Sequence, residues 1–389
     1  MKLFFYLPAI TPWWFDHIAP MIRAAARDCE THVLVPPLWH GMGINPEQLE
    51  AFADCPDIRW YIPDAESIEM LHGRSADNPD LLALAAAIDA DLTLCRAADV
   101  ELPSLFPGTV RYVMEAGNPP MKNHSVAIEP GLLAFGERPD MTIETERAMD
   151  AAFAPLWNRI CAAEERAHRP NWRLAYGVAR DRKVVVLPLE YAHAENAFSR
   201  LRHWPDNAGM ISEVAERLPD DIFLAVTEHP LNRLYCDTSA TDDAIMALGS
   251  ERAALIEQLE PDILPTDMLA RDCDGAVLDF SKSWSIFAFH GRPIFRKSRQ
   301  STAAWLNATD CFERFARQVR NGTPAPDADQ LRLWFAHRSA NCVFDPVVMQ
   351  SGADIVTRTR QPVNPAIWAD NLARCQAEWD RRHGAPSHV

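Results

Sequence analysis

The residues best suited to carry chemistry follow an apolar run at 222–226, where the chain continues Thr-Glu-His-Pro. Glu228, His229 and Pro230 therefore come directly after a segment that is typical of a buried strand. If Pro230 lies in the first turn of a helix, the free backbone amides of that turn attract an anion, and His229 can donate a hydrogen bond to a phosphate oxygen. The pattern predicts a phosphate site, and a plain polar loop is the alternative.

A second apolar run, at 274–280, is followed by Ser281 and Ser283. Serine hydroxyls at the start of a helix either cap its free amides or donate to a bound anion. Because both runs lie in the same half of the chain, we expect the histidine and the serines to line one site. A purely capping role for Ser281 stays open.

Two glutamates, Glu115 and Glu190, also follow apolar runs. Of two carboxylates, one can act as nucleophile while a second group serves as acid/base, or a single carboxylate can act as general base. Either glutamate can instead cap a helix or pair with an arginine. His193 and Glu195 are neighbouring alternatives.

These residues are expected at the edges of two sheets. Strand-like runs alternate with helical stretches twice along the chain, on either side of a long helical segment at 143–168. This alternation predicts an α/β fold of two doubly wound, Rossmann-like domains, residues 1–175 and 176–389, with helices at the C-terminus. Such sheets bind ligands beyond the carboxyl ends of their strands. A further helix is predicted over residues 242–259.

The composition excludes several classes of function. The chain has 389 residues, of which 48% are hydrophobic, and a net charge of −16. A folded protein without a nucleic-acid partner is expected, because neutralising phosphates takes clustered Lys and Arg. Nine cysteines are scattered without a CxxC pair, which indicates reduced thiols in the cytoplasm and no metal site. No apolar run is long enough to span a membrane, so any membrane contact is expected to be peripheral.

Five short motifs occur in a fixed order along the chain. They are Glu-Ala-Gly at 115–117, Leu-Pro-Leu-Glu at 187–190, Glu-His-Pro at 228–230, Ser281, and Gly-Arg-Pro at 291–293. This series resembles the GT-B glycosyltransferases that use CMP-sugars, and most closely the bacterial Kdo transferases of capsule and O-antigen (lipopolysaccharide) synthesis. The chain departs from that family at 280–282, where Phe-Ser-Lys replaces Asn-Ser-Thr, and at 291–293, where Gly-Arg-Pro replaces Gly-Lys-Pro.

The resemblance implies a GT-B architecture in which the first half binds the acceptor and the second half binds the donor nucleotide. Glu228, His229, Pro230, Ser281 and Ser283 would surround the nucleotide and its phosphate. A CMP-sugar carries one phosphate, so neither a divalent metal nor any other cofactor is expected, and the CMP-sugar is itself the donor substrate.

For the chemistry, the resemblance implies that Glu190 is the nucleophile of a retaining transfer and that Glu115 is the acid/base or an acceptor-binding residue. The expected reaction moves Kdo or a related acidic sugar onto a glycan or glycolipid of a surface polysaccharide. The expected location is the cytoplasm, with peripheral contact to the inner membrane or to polysaccharide-assembly proteins. The alternatives are a GT-B transferase or epimerase that uses a UDP- or GDP-sugar, and a non-catalytic sugar-binding subunit.

Overall fold

The computed structural model describes residues 1–38, 41–63, 78–97, 101–122, 126–131, 135–193, 196, 199, 201–299 and 301–383. Within these ranges no helix combines the length and the apolar character needed to cross a bilayer.

The first sheet has seven strands. They are β1 (Lys2–Tyr6), β2 (Glu30–Leu34), β3 (Arg59–Tyr61), β4 (Leu92–Cys95), β5 (Thr109–Glu115), β6 (Val126–Glu129) and β12 (Val343–Phe344). Their order is β12-β6-β5-β4-β1-β2-β3. The five strands from β5 to β3 run parallel, and β6 and β12 add antiparallel strands at one edge. The central strand β1 is almost wholly buried, as expected where helices cover both faces.

The second sheet has five strands, all parallel. They are β7 (Lys183–Pro188), β8 (Ile222–Thr227), β9 (Ala253–Leu255), β10 (Gly275–Leu278) and β11 (Ile294–Arg296). Their order is β11-β10-β7-β8-β9. Chain order reverses between β7 and β10, just as it reverses between β1 and β4 in the first sheet. Each sheet is therefore doubly wound and has one topological switch point.

The helices of the described residues connect these strands and cover the two sheets. They are α1 (Pro12–Ala25), α2 (Pro46–Glu50), α3 (Pro79–Ile88), α4 (Ile143–Arg166), α5 (Trp172–Ala175), α6 (Asn207–Arg217), α7 (Asn232–Tyr235), α8 (Ser239–Leu248), α9 (Pro265–Ala270), α10 (Trp284–Phe289), α11 (Phe312–Asn321), α12 (Ala328–His337), α13 (Gly352–Thr359) and α14 (Trp368–His383). The long helix predicted at 143–168 is confirmed as α4. Its buried side chains recur at i, i+4, i+7 and i+11 from Met149, which is one face of a helix.

The helix predicted over 242–259 is wrong in its second half. Helix α8 ends at Leu248, Gly249 follows with φ of 76°, and the chain then forms the edge strand β9. A glycine tolerates this positive φ, which ends a helix in favour of a turn. The alanines after Gly249 pair with β8 because that sheet edge offers free backbone groups.

The last part of the chain returns to the first sheet. Strand β12 pairs with β6, and α14 packs against α4. The sequence assigned all of residues 176–389 to the second domain, so the pairing of β12 differs from that assignment. Apolar side chains such as Phe344 and Trp379 are buried there, and they cover a part of the first domain that would otherwise face water. The domain boundary near residue 175 stays a prediction.

The carboxyl edges of the two sheets face one another. The loop after β5 contacts the loop after β10: the Ser285 hydroxyl donates to the Pro119 carbonyl at 2.5 Å, and Lys282 forms an ion pair with Glu115. A second ion pair joins Lys122 of the first domain to Asp267 in α9. Two facing doubly wound domains with C-terminal helices form the GT-B architecture, so the predicted fold class is confirmed.

Candidate functional site

The switch point of the second sheet brings Glu190 to the serine loop. Strands β7 and β10 are neighbours, so the residues after them meet at the same edge. The backbone N–H of Phe280 donates to Glu190 Oε1 at 2.8 Å, and Glu190 is 8% exposed. The Glu190 carbonyl accepts from the side-chain amides of Asn207 and Asn232, both at 2.9 Å. Glu190 thus lies beneath the site and holds three loops together.

Burial changes the charge of this region. It raises the pKa of Glu190 to about 7, even though the Phe280 amide and the nearby Arg202 favour the ionised form. Asp279 lies beside it and is fully buried, and burial raises the pKa of Asp279 to about 6. The Asp279 carboxylate accepts from the backbone amides of His203 and Trp204, at 2.7 and 3.2 Å. Burial therefore weakens both acids, and near pH 7 Glu190 is partly protonated.

His229 follows β8 and lies half-buried in the cleft. The backbone N–H of Leu231 donates to His229 Nδ1 at 3.3 Å, and the Tyr191 ring packs at a centroid distance of 5.1 Å. Burial, with a smaller contribution from the Lys282 ammonium, lowers the pKa of His229 to about 4. The ring is therefore neutral near pH 7. Because Nδ1 accepts, the single proton lies on Nε2, which makes that nitrogen a hydrogen-bond donor.

Pro230 does not begin a helix, and this prediction is wrong. Helix α7 starts only at Asn232 and has a single turn. The Asn232 N–H donates to the His229 carbonyl at 2.9 Å, so residues 229–232 form a tight turn with the proline at its second position. The fixed φ of proline suits that position. The expected cradle of helix amides at Pro230 is therefore replaced by a turn that presents the His229 ring.

Glu228 holds this turn in place. Its Oε1 accepts from the His229 N–H at 3.2 Å and from the Asn232 side-chain amide at 2.6 Å. The Arg233 guanidinium lies 3.7 Å from the other carboxylate oxygen. These contacts assign Glu228 a structural part in the loop, and its predicted contact with a nucleotide stays a prediction.

The two serines after β10 bond to each other. Ser281 Oγ and Ser283 Oγ are 2.7 Å apart, and the Ser283 N–H donates to Ser281 Oγ at 3.3 Å. Helix α10 begins at Trp284, and Ser283 stands at its cap position without a side-chain capping bond. Ser281 therefore organises the turn, and both hydroxyls lie at the edge where the predicted phosphate would bind.

Glu115 ends β5 on the opposite side of the cleft, and its side chain is 56% exposed. Its carboxylate accepts from the Lys282 ammonium. Partial burial opposes ionisation, but Lys282, with Arg96 and Arg338 farther off, holds the pKa of Glu115 below its usual range. Arg338 also donates to the Glu115 carbonyl at 3.0 Å and fixes the end of the strand. Glu115 is thus an ionised carboxylate at the surface of the cleft.

The structure brings His229, Ser281, Ser283 and Glu115 to one cleft, whereas Glu190 is buried below it and Pro230 is exposed. Of the two neighbouring alternatives, His193 stacks on Tyr191 at 5.7 Å, and Glu195 lies outside the described residues. Within the described residues no three His, Cys, Asp or Glu side chains are grouped as a metal site would require.

Sequence reasoning missed four residues of this region: Asp279, Lys282, Asn232 and Arg338. Two had a local signal, since Asp279 ends an apolar run and Lys282 stands between two serines. Asn232 is 1% exposed and links the loops of Glu190 and Glu228, which the sequence does not reveal. Arg338 lies more than two hundred residues from Glu115, and only the fold brings them together.

No protein-family model matches the chain, and no curated protein sequence matches it. Among solved structures it is similar to KpsC, a β-Kdo 2,7 transferase of Thermosulfurimonas dismutans, with 11% identity over 78% of this chain and 89% of that one and a TM-score of 0.43. It is also similar to the spinosyn rhamnosyltransferase SpnG with bound spinosyn aglycone (12% identity, 92% and 99% covered, TM-score 0.32). A third is the UDP-GlcNAc 2-epimerase of Methanocaldococcus jannaschii (12% identity, 92% and 98% covered, TM-score 0.34). At these values none of the three assigns an activity to this chain.

Proposed function

We propose that this protein is a glycosyltransferase that moves a sugar from a nucleotide-sugar, bound by the second domain, to an acceptor bound by the first. The observation that carries the proposal is the placement of His229 and the Ser281 loop opposite the Glu115 carboxylate across one cleft. His229 and the Ser281 loop, which can donate to a phosphate, thus face Glu115, which can accept from a hydroxyl. Ligands of doubly wound sheets bind at such edges.

The preferred donor is a CMP-activated acidic sugar, with Kdo as the leading candidate. Support comes from the motif order along the chain and from the few donors that the second domain presents. A neutral His229 with its proton on Nε2 and the hydroxyls of Ser281 and Ser283 suit a single phosphate, and Lys282 supplies one positive charge. No divalent metal or other cofactor enters this scheme.

The geometry favours Glu115 as the general base. Glu115 takes the proton of an acceptor hydroxyl, the hydroxyl oxygen bonds to the anomeric carbon, and the bond from that carbon to the phosphate oxygen breaks. CMP leaves with the electron pair on its phosphate, and the configuration inverts. An exposed carboxylate that is ionised at neutral pH can accept the proton.

A retaining route through Glu190 is the second candidate, because this residue follows β7 by two residues and contacts the serine loop. Its carboxylate is buried and accepts the Phe280 amide, so attack on a sugar would require it to leave that partner. In the inverting scheme Glu190 is instead a positioning residue that holds the Ser281 loop in place through the Phe280 amide.

The acceptor proposed for the first domain is a glycan or glycolipid of a surface polysaccharide. The corresponding location is the cytoplasm, with peripheral contact to the inner membrane or to polysaccharide-assembly proteins. No nucleic acid is a partner in this scheme.

The test is a melting-temperature screen with CMP, UDP and GDP, followed by hydrolysis assays with the matching nucleotide-sugars. CMP should stabilise the protein most; a ligand at 100 times its Kd adds about 2.7 kcal/mol to stability. CMP-Kdo should then be consumed. A larger shift with UDP or GDP would move the donor to that class and leave open a transferase or an epimerase, and binding without turnover would indicate a non-catalytic subunit.

A further inference from the structure

Among the described residues, two lysine–carboxylate pairs cross the cleft, and their surroundings differ. Lys122 pairs with Asp267 on α9, and it lies outside the loop assigned to the donor phosphate. Lys282 pairs with Glu115, and it stands between Ser281 and Ser283 in the loop assigned to the donor phosphate. Lys282 therefore contacts the proposed base and also lies in the loop proposed to bind the donor phosphate.

We infer that Lys282 exchanges partners during the reaction: it leaves the Glu115 carboxylate for the donor phosphate, and so frees Glu115 to act as the base. This inference rests on the proposed function and adds to it a residue and an order of events. Donor binding would switch on the base, and the acceptor would not be deprotonated before the donor is in place.

The side chains of His229, Lys282 and Glu115 lie close together. The His229 imidazole interacts electrostatically with both the Lys282 ammonium and the Glu115 carboxylate, so these three groups lie near one another. The Lys282 side chain is 34% exposed. A lysine carries a compact charge on a flexible four-carbon stem, and it can turn from one anion to another without movement of the backbone.

The charges of the phosphate and of the Glu115 carboxylate decide which of them binds the Lys282 ammonium. A phosphate of one to two negative charges attracts the ammonium at least as strongly as a carboxylate does. A carboxylate that bonds an ammonium is a weak base, and it regains basicity once the ammonium leaves. The coupling is reciprocal: if phosphate weakens the bond of Lys282 to Glu115, then Glu115 must weaken the binding of phosphate.

The experiment measures the affinity of CMP, UDP, cytidine and inorganic phosphate by calorimetry for four proteins besides the wild type. These are Lys282→Met, Glu115→Gln, the double variant, and Lys122→Met as the matched control. Lys282→Met should weaken CMP binding about 10- to 100-fold, the range for a lost hydrogen bond to a charged group. Glu115→Gln should strengthen CMP binding several-fold. Cytidine should bind all five proteins alike, and Lys122→Met should match the wild type.

The double variant separates partner exchange from simple repulsion between Glu115 and the phosphate. Exchange predicts that the gain from Glu115→Gln shrinks when Lys282 is already methionine. An equal gain in both backgrounds, an unchanged CMP affinity of Lys282→Met, or a weaker CMP affinity of Glu115→Gln overturns the inference. If Lys282→Met does not fold, Lys282→Arg is used. It should keep the phosphate affinity, and a drop to the cytidine level also overturns the inference.

The outcomes also separate this inference from the proposed function. If phosphate compounds bind in a manner that requires His229 but not Lys282, the donor site stands and only the partner exchange fails. If neither CMP, UDP nor inorganic phosphate binds the wild type, the proposed function fails together with the exchange.

Discussion

Glu115 ends β5 and Glu190 follows β7 by two residues, so each lies at the carboxyl edge of a doubly wound sheet, yet their surroundings differ. Glu115 lies at the cleft surface, bonded to a lysine of the other domain, and its pKa is lowered. Glu190 is buried against the backbone of the serine loop, and burial raises its pKa to about 7. Position at a sheet edge therefore does not decide the role of a carboxylate. Access to the cleft and the nearest charge decide it.

The largest effect is expected from Glu115→Gln. Loss of a general base reduces the rate of sugar transfer by about 10²–10⁴-fold. CMP affinity should not fall, because glutamine removes a negative charge that competes with phosphate. The rate of sugar transfer to acceptor and CMP titration measure the two effects. Glu144→Gln, an exposed residue in the first turn of α4, is the control.

The variant Glu190→Gln tests the retaining route. If Glu190 is the nucleophile, this variant loses transfer by several orders of magnitude, and mass spectrometry of the wild type with donor alone shows a sugar adduct on Glu190. With Glu190 as a positioning residue, we expect activity to persist and no adduct to form.

His229→Ala should weaken CMP binding about 10- to 100-fold while the fold stays intact, since it removes one hydrogen bond to a charged phosphate. Calorimetry gives the affinity, and circular dichroism checks the fold. The control is His168→Ala, whose side chain is 72% exposed and pairs with Glu260. A variant that unfolds, yet binds CMP normally when folded, would show that His229 serves packing.

The raised pKa of Glu190 predicts a pH-dependent stability. Below the usual pKa of 4.5 the residue is protonated in both the folded and the unfolded chain. As pH rises from there to about 7, only the unfolded chain loses the proton, and the wild type loses about 1.4 kcal/mol of stability for each pH unit relative to Glu190→Gln.

Thermal melts of both proteins between pH 4.5 and 8 measure this difference. The variant should melt increasingly above the wild type up to about pH 7, and the gap should then stay constant. Glu216→Gln on the exposed side of α6 is the control. A gap independent of pH would mean that Glu190 ionises normally in the folded protein.

The smallest effect is expected from removal of divalent metals. Excess EDTA should leave both CMP binding and sugar transfer unchanged, because in the proposed site Lys282 would balance charge on a single phosphate and His229 and the serines would donate hydrogen bonds to it. Loss of activity that Mg²⁺ or Mn²⁺ restores would instead favour a donor with two phosphates.

Much of the fold could be predicted from local patterns. The buried strands β1, β7 and β8 are continuous apolar runs, and the buried residues of α4 recur with helical spacing from Met149 to Ile160. The failures have physical causes. Strand β9 has three residues, Ala-Ala-Leu, of types that also suit a helix, and the two residues of β12 are a strand only because β6 offers them a partner.

The sequence by itself determined the strands, most of the helices and the kinds of chemistry at their ends, because these depend on side-chain periodicity and on residues next to one another. Only the tertiary structure decided which polar groups are buried and which charges meet. Lys282 and Glu115 are 167 residues apart in the chain, and Glu190 is 90 residues from the amide that it accepts. Desolvation and ion pairing act through space, so the charge states of the two glutamates follow from the packing of the domains and from nothing in their local sequence.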